Sequence, residues 1–125
     1  MRGATLDAGA LIGFERAKRA VVVLVARALE RGDRLAVPTG VVAQVWRDGT
    51  RQVRLLRLLA SETIEIVDLD DPTARAVGQL REVSGASDVV DASVVLCARQ
   101  RGHKVLTSDA EDLRRIDARI DLVSV

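Results

Sequence analysis

Three aspartates stand where the chain can assemble carboxylates into one site. Asp7 directly follows a short apolar run, Asp109 follows a later one in VLTSDAEDL, and Asp91 lies in SDVVDASVVLCA just ahead of that later run. In open parallel sheets, ligands collect outside the carboxyl ends of the strands, so these side chains can converge there. Crowded carboxylates repel one another unless a cation or a proton intervenes. Oxygen ligands without His or Cys suit magnesium or manganese rather than zinc.

Most acidic positions in these segments also suit helix capping. Asp7 can cap a short helix that follows it, and Asp88 can cap the helix that contains Asp91. Ser108 with Glu111 has the spacing of a capping box. Asp91 instead falls about one turn inside its helix among apolar residues, where an unpaired carboxylate is costly. We therefore expect Asp91 to have a charged partner, and it is the best single indication of a site.

The elements that must hold these residues alternate between short strands and longer helices. Strands are predicted at residues 4–6, 35–37, 64–67, 104–106 and 121–123. Helices are predicted at about residues 17–31, 40–48, 50–60, 71–83, 88–101 and 110–117, with Asp71 as the cap and Pro72 as the first residue of the fourth. Such alternation predicts an α/β fold: one domain over residues 1–125, with a central parallel sheet of about five strands and helices on both faces.

Composition narrows the functional classes. The chain is 48% apolar and 30% charged, as in an ordinary folded domain, but Phe14 and Trp46 are its only aromatic residues, which disfavours base recognition by an aromatic sheet. With a net charge of +1, any binding to nucleic acid must be local. A single cysteine, Cys97, fits a core position in a reducing cytosol. Without a long apolar segment or a leader-like start, we expect a cytoplasmic protein that does not enter a membrane.

Four short motifs occur in a fixed order along the chain. They are the acidic residue after the first strand, the segment VPTGVVAQVWR, the DASVVLCA helix and the TSD after the next strand. In this order they resemble the PIN domain, in particular the VapC-like toxins of type II toxin–antitoxin pairs, over essentially the whole chain. The resemblance implies an endoribonuclease that uses Mg²⁺ or Mn²⁺ to cleave RNA, usually a homodimer, and held inactive by a cognate VapB-like antitoxin.

The resemblance also assigns roles to individual residues. Asp7, Asp91 and Asp109 match the first, third and fourth acidic positions of the family, which makes them the expected catalytic and metal-binding residues. Gln44 occupies the second position, where a glutamate usually stands. An amide offers one neutral oxygen but cannot take up a proton near neutral pH.

The missing charge at Gln44 has two possible consequences. A neighbouring acid can compensate for it, because Asp88 is one turn from Asp91 and Asp112 is one turn from Asp109, with Glu111 as a further candidate. Otherwise the metal binds weakly and catalysis is slow.

Two further groups of residues are candidates for contacts with RNA or a partner. Thr107 and Ser108 can hydrogen-bond water or phosphate beside the site, or can serve only strand formation and capping. A stripe of arginines at spacings of four, three and three can bind RNA phosphates or acidic groups of a partner, or can be a solvated helix face. Its members are Arg47, Arg51, Arg54 and Arg57.

Two isolated ring side chains have simpler interpretations. Trp46 is expected to be an anchor in packing or at an interface, because no other aromatic residue accompanies it. His103 is expected to be an exposed loop residue.

Other functions remain open at this stage. The chain can be a binding module of the PIN fold that lost turnover through Gln44 and acts through an antitoxin or RNA. A phosphoacceptor receiver domain shares the length and the α/β alternation, but it needs an acidic pair after the first strand and a lysine after the last. A dinucleotide-binding domain needs GxGxxG after the first strand, and none is present.

Overall fold

Five short parallel strands form one central sheet. The computed structural model describes residues 3–125. The strands are β1 (Gly3–Leu6), β2 (Arg34–Pro38), β3 (Ile64–Val67), β4 (Lys104–Thr107) and β5 (Leu122–Ser124). They lie in the order β3-β2-β1-β4-β5, and every pairing is parallel. The predicted α/β fold is confirmed, and the order differs from the 2-1-3-4-5 order typical of receiver domains.

Seven helices connect and cover the strands within residues 3–125. They are α1 (Ala8–Glu15), α2 (Arg19–Arg31), α3 (Thr39–Val45), α4 (Val53–Leu59), α5 (Asp71–Ser84), α6 (Val89–Arg101) and α7 (Ala110–Ile116). The predicted set of helices lacks α1, which the sequence indicates only as a short helix that Asp7 can cap. The other boundaries agree with the sequence prediction to within about two residues, except at α3 and α4, which are both shorter than predicted. The cap of α5 is Asp70, whose carboxylate accepts from the Thr73 amide at 2.9 Å, so Asp71 is the first helical residue rather than the cap. None of these helices has the length and apolarity needed to cross a bilayer.

Helices lie on both faces of the sheet. Thr5 of β1 points toward α6, where its hydroxyl lies 3.6 Å from the thiol of Cys97. The adjacent residue Ala4 points the other way and lines a small cavity with Leu24 and Ala28 of α2. Because successive strand residues face opposite sides, α2 and α6 cover opposite faces. Cys97 is buried, as predicted for a small core residue.

The central strands are buried on both faces. Residues Gly3 to Leu6 of β1 and Leu35 to Pro38 of β2 are all buried, as are the last three residues of β4. Parallel strands covered by helices on both faces read as continuous apolar runs rather than alternating ones, which is the pattern the sequence has. Their burial fixes where each strand ends, and therefore where Asp7 and Asp109 emerge.

A buried glutamine explains the gap between α3 and α4. The side chain of Gln52 is 3% exposed, and its Oε1 accepts hydrogen bonds from the amides of Arg47 and Asp48 at 2.7 and 2.9 Å. Its Nε2 donates to the carbonyl of Val45 at 2.8 Å and to Glu15 Oε1 of α1 at 3.0 Å. These four bonds close the turn after α3 and tie it to α1, so α4 begins only at Val53.

Replacing Gln52 with alanine should lower the free energy of unfolding by about 2–3 kcal/mol, because buried amides would lose their acceptor. Chemical denaturation followed by circular dichroism measures this loss. The matched control is Gln44→Ala, which removes an exposed glutamine and should change stability by less than about 0.5 kcal/mol. Equal losses in the two variants would contradict the role assigned to Gln52.

Candidate active site

Asp7 is fixed at the junction of β1 and α1. Its Oδ1 accepts from the amide of Ala10 at 2.9 Å, so it caps α1 as predicted. Its own amide donates to the carbonyl of Leu106 in β4 at 3.3 Å. The side chain is only 6% exposed. One carboxylate is therefore held at the carboxyl end of the sheet, level with the end of the neighbouring strand.

Asp109 emerges from that neighbouring strand two residues after β4 ends. It occupies the N-cap position of α7 but makes no capping hydrogen bond through its side chain. Its amide instead donates to the Thr107 hydroxyl at 2.8 Å. The predicted capping box of Ser108 and Glu111 is wrong, because Asp109 rather than Ser108 stands at the cap. Asp109 is exposed, and its carboxylate does not cap α7.

Ser108 lies against the first turn of α1. A side chain at Gly9 would overlap the Ser108 hydroxyl, so glycine at this position allows the loop after β4 to approach α1 closely. This approach brings the loop that carries Asp109 next to the helix that Asp7 caps.

Asp91 lies in the first turn of α6 and is partly buried. Asp88 caps this helix, as predicted, and its Oδ1 accepts from the Asp91 amide at 2.9 Å. No basic side chain pairs with Asp91 within residues 3–125, and the charges that act on it come from Asp88, Asp112, Asp109 and Asp7, all negative. The expected charged partner is therefore not a residue of the described chain, and the expectation stays a prediction that a bound cation would satisfy.

Asp7, Asp91 and Asp109 influence one another electrostatically. Burial, followed by repulsion from the neighbouring acids, raises the pKa of Asp91 to about 6. Burial also raises the pKa of Asp7, helped by Asp109 and opposed by the Thr107 hydroxyl and the Ala10 amide. The cluster of Asp7, Asp91 and Asp109, with Asp88 beside it, therefore carries negative charge that no ion pair offsets within residues 3–125, whereas Asp112 is paired with Arg115.

A cleft of about 430 Å³, here called the acidic cleft, opens beside Asp91. Its walls come from the loop between α5 and α6, the first turn of α6, and α7. The lining residues are Ser84, Gly85, Ala86, Ser87, Asp88, Asp91, Asp112, Arg115 and Ile116. Asp91 therefore belongs both to the carboxylate cluster and to a space that can admit a ligand. The sequence did not single out Arg115 or the serines of this wall.

The donor chemistry of the cluster fits a hard divalent cation. Its oxygen donors are all carboxylates, the group that magnesium and manganese prefer, and such a cation would offset the negative charge around Asp91. Within residues 3–125, however, no three acidic, histidine or cysteine side chains stand in the close arrangement of a finished metal centre. The oxygens of Asp7 and Asp88 are turned toward helix amides. Side chains would have to rearrange to complete such a centre.

Gln44 lies on α3, and its side chain is exposed. No hydrogen bond of this side chain is found within residues 3–125. One turn earlier on the same side of the helix, Gly40 faces Val90, which neighbours Asp91 in α6. Gln44 therefore lies on the side of α3 that faces the first turn of α6.

The four arginines do not form one helical stripe. Arg47 lies beyond the end of α3 and pairs with Glu15 at 3.5 Å, and Arg51 lies in the turn before α4. Only Arg54 and Arg57 share a helix, where both line an apolar groove on α4. The turn closed by Gln52 places Arg47 and Arg51 outside the helices. The regular spacing of the four arginines in the sequence therefore does not correspond to one helix face.

The two isolated ring side chains behave differently from each other. Trp46 is 38% exposed and packs its ring toward Gly49. His103 is partly buried rather than an exposed loop residue: its ring lies over Gly3, and its Nδ1 is 3.2 Å from the Thr5 hydroxyl. It stands at the amino end of β4, opposite to the carboxylates, so it takes no part in this site.

Comparison with known proteins now identifies the fold family. A model of the PIN domain matches residues 4–119. The chain belongs to the PIN domain family. Proteins with PIN domains are generally nucleases, and PIN nucleases typically use a divalent metal. No curated protein sequence matches the chain significantly.

Solved structures with a PIN fold overlay almost the whole chain. The VapBC2 complex from Rickettsia felis, bound to a DNA fragment from its promoter, gives a TM-score of 0.75 at 15% identity and covers 98% of both chains. A toxin–antitoxin complex from Klebsiella pneumoniae gives 0.69 at 20% identity, covering 96% of this chain and 95% of its own. FitAcB from Neisseria gonorrhoeae gives 0.65 at 17% identity, covering 95% of each. At these identities the likeness establishes the PIN fold.

Replacing Asp91 with asparagine should stabilise the metal-free protein at neutral pH. In the folded chain Asp91 takes up its proton near pH 6, whereas in the unfolded chain it does so at about pH 3.9. The ionised form of Asp91 therefore lowers the free energy of unfolding. This loss develops as the pH rises from about 4 to 6, and it disappears again as the pH falls toward 4. We expect a gain of about 1 kcal/mol at pH 7.5, reduced from the full pKa difference by solvent screening, and almost none at pH 4.

Denaturant unfolding in the presence of a chelator, at both pH values, measures this difference. The control is Asp68→Asn, which removes an exposed carboxylate outside the cluster and should change stability little at either pH. A destabilised Asp91→Asn protein at pH 7.5 would show that the carboxylate is compensated by a positive group.

Proposed function

We propose that this PIN domain is the toxin of a type II toxin–antitoxin pair and that it hydrolyses RNA phosphodiester bonds with Mg²⁺ or Mn²⁺. The observation that carries the proposal is the uncompensated carboxylate cluster at the carboxyl ends of β1 and β4, beside the acidic cleft. Membership of a family of nucleases supports the activity, and the oxygen-only ligand set supports the choice of metal.

In this proposal, Asp7, Asp91 and Asp109 hold the metal and are the catalytic residues. When bound, a divalent cation activates water and neutralises charge that develops on the phosphate during in-line attack. Asp7 is positioned by its bond to the Ala10 amide and Asp109 by the Thr107 hydroxyl, so both carboxylates stand on ordered backbone. Thr107 is buried, and this fits a positioning role, whereas the exposed Ser108 is free to contact phosphate.

The remaining acids and the amide modulate the charge of the site. Asp88 and Asp112 both act on Asp91, which supports compensation for Gln44 by neighbouring carboxylates. Asp88 is engaged as the cap of α6, and Asp112 pairs with Arg115 at 3.3 Å, so each supplies only part of its charge.

The partner proposed for this toxin is a VapB-like antitoxin, with a second copy of the chain forming a homodimer. The overlay with toxin–antitoxin complexes from Rickettsia felis and Klebsiella pneumoniae supports an antitoxin partner. Arg54 and Arg57 flank the apolar groove on α4, where an amphipathic segment with acidic side chains would fit.

A second candidate is a PIN-fold binding module that recognises RNA or an antitoxin without turnover. Two observations favour it: the amide at position 44, and the lack of a close three-ligand arrangement in residues 3–125. It differs from the first candidate only in catalysis, so a cleavage assay separates the two.

Purified chain, free of antitoxin, should cleave total bacterial RNA in Mg²⁺ or Mn²⁺, and chelation of the metal should stop cleavage. Asp91→Asn and Asp109→Asn should each lower the rate by at least about 100-fold, because removing a ligand exceeds the loss typical of an outer-shell change. Sequencing of the new RNA ends measures cleavage, and Asp68→Asn should retain the full rate. Antitoxin binding without cleavage at any metal concentration would establish the binding module instead.

Gln44→Glu should bind Mg²⁺ several-fold to about ten-fold more tightly than the wild type, because it adds one negative charge near a divalent cation. Isothermal titration calorimetry measures the affinity. Gln79→Glu adds the same charge on the exposed side of α5 and should leave the affinity within about two-fold. Unchanged or weaker binding in Gln44→Glu would place residue 44 away from the metal.

A further inference from the structure

Arg115 is the only basic side chain in the lining of the acidic cleft, as far as residues 3–125 show. The position of α7 explains why it points there. Leu113 and Ile116 are buried and fix the rotation of this helix, and Ile116 also lines the cleft. Asp112 and Arg115 are three residues apart and share the cleft face. Arg114, between these positions, is exposed and is not part of the lining.

The ion pair of Arg115 is weak enough to be exchanged. Its Nη1 lies 3.3 Å from Asp112 Oδ1, and the two side chains are 76% and 54% exposed. Such exposed pairs contribute roughly 0–1 kcal/mol. A guanidinium binds phosphate through two parallel hydrogen bonds, which is a stronger arrangement than this single contact with a carboxylate. A phosphate in the cleft can therefore replace Asp112 as the partner of Arg115 with little loss of free energy.

Another wall of the cleft is made of small residues. Ser84 is the last residue of α5, Gly85 ends the helix with a φ of +74°, and Ala86 and Ser87 follow before α6. No bulky side chain in this loop stands between the cleft and solvent, so an extended strand can approach the backbone. The volume of about 430 Å³ lies within the roughly 300–1,000 Å³ range of small-ligand pockets, which suits one nucleotide unit of a single strand.

We propose that Arg115 is a positioning residue that binds a backbone phosphate of the RNA strand adjacent to the one that is cleaved. This inference rests on the proposed function, because it takes RNA as the substrate of the same site. The cluster around Asp91 repels phosphates, and Arg115 is the cleft side chain that can counter this repulsion. By holding the neighbouring phosphate, it sets the strand in register with the carboxylates.

The test compares Arg115→Gln with Arg114→Gln, which removes the same charge from the preceding residue of the same helix. Both are made in the Asp91→Asn chain, so that the probe, a labelled single-stranded RNA of mixed sequence, is not cleaved. Fluorescence anisotropy over a range of salt concentrations gives the affinity and its salt dependence. Arg115→Gln should weaken binding about ten-fold and reduce the slope of log K against log salt by about 0.7, as expected for one lost phosphate contact. Arg114→Gln should stay within about two-fold, with its slope unchanged.

Each outcome has one meaning. Equal affinities and slopes for the two variants would overturn the role of Arg115, and the proposed function would stand if the wild type still cleaves RNA. Weaker binding with an unchanged slope would also overturn it, since that result indicates a structural effect, and thermal unfolding of Arg115→Gln would reveal it. A selective loss in Arg115→Gln while the wild type fails to cleave RNA would support the contact of Arg115 with an RNA phosphate but would refute the nuclease and the placement of Arg115 beside a cleaved phosphate. No RNA binding by the parent chain would refute the role of Arg115.

Discussion

The parallel pairing of β1 with β4 is the constraint on which the rest of the site depends. Residues far apart in the sequence, Asp7 and Asp109, leave the sheet side by side because Leu6 is paired with Leu106. Both strands are buried on both faces, so a slip by one residue would move each side chain to the opposite face and disrupt its packing against the helices there. Whatever the carboxylates bind, their positions are fixed by the core and not by attraction between them.

Repulsion within the cluster is the cost of that arrangement. The fold gives Asp91 four acidic neighbours and no basic partner, and its pKa rises to about 6 as a consequence. The stability needed to hold the cluster comes from elsewhere: from the aliphatic core, from the caps at Asp7 and Asp88, and from the bonds of Gln52 to the turn after α3. A site that is unfavourable when empty has more to gain from binding a cation.

The sequence predicted the fold well because buried parallel strands and amphipathic helices leave distinct patterns. Its prediction that Asp7, Asp91 and Asp109 approach one another rests on the parallel sheet, which sends every strand end to one edge, and the repulsion that Asp7 and Asp109 exert on Asp91 agrees with it. It failed where contacts between distant elements decide the outcome. The packing of His103 over Gly3 and the hydrogen bond of Gln52 to Glu15 depend on partners at long sequence separation. No local pattern marks such contacts.

The two glutamines near α3 show how the same residue type serves opposite needs. Gln52 is buried, and both the oxygen and the nitrogen of its amide form hydrogen bonds. A carboxylate at this position could not donate to Glu15 or to the Val45 carbonyl and would be repelled by Glu15. Gln44 is exposed on the side of α3 toward Asp91, and a carboxylate there would strengthen attraction for a cation while adding to the repulsion that already raises the pKa of Asp91. If a cation binds as proposed, an amide at position 44 would lower the electrostatic cost of the metal-free state and would also weaken metal binding. Asp88 and Asp112, which already act on Asp91, would then supply part of the negative field that the cation requires.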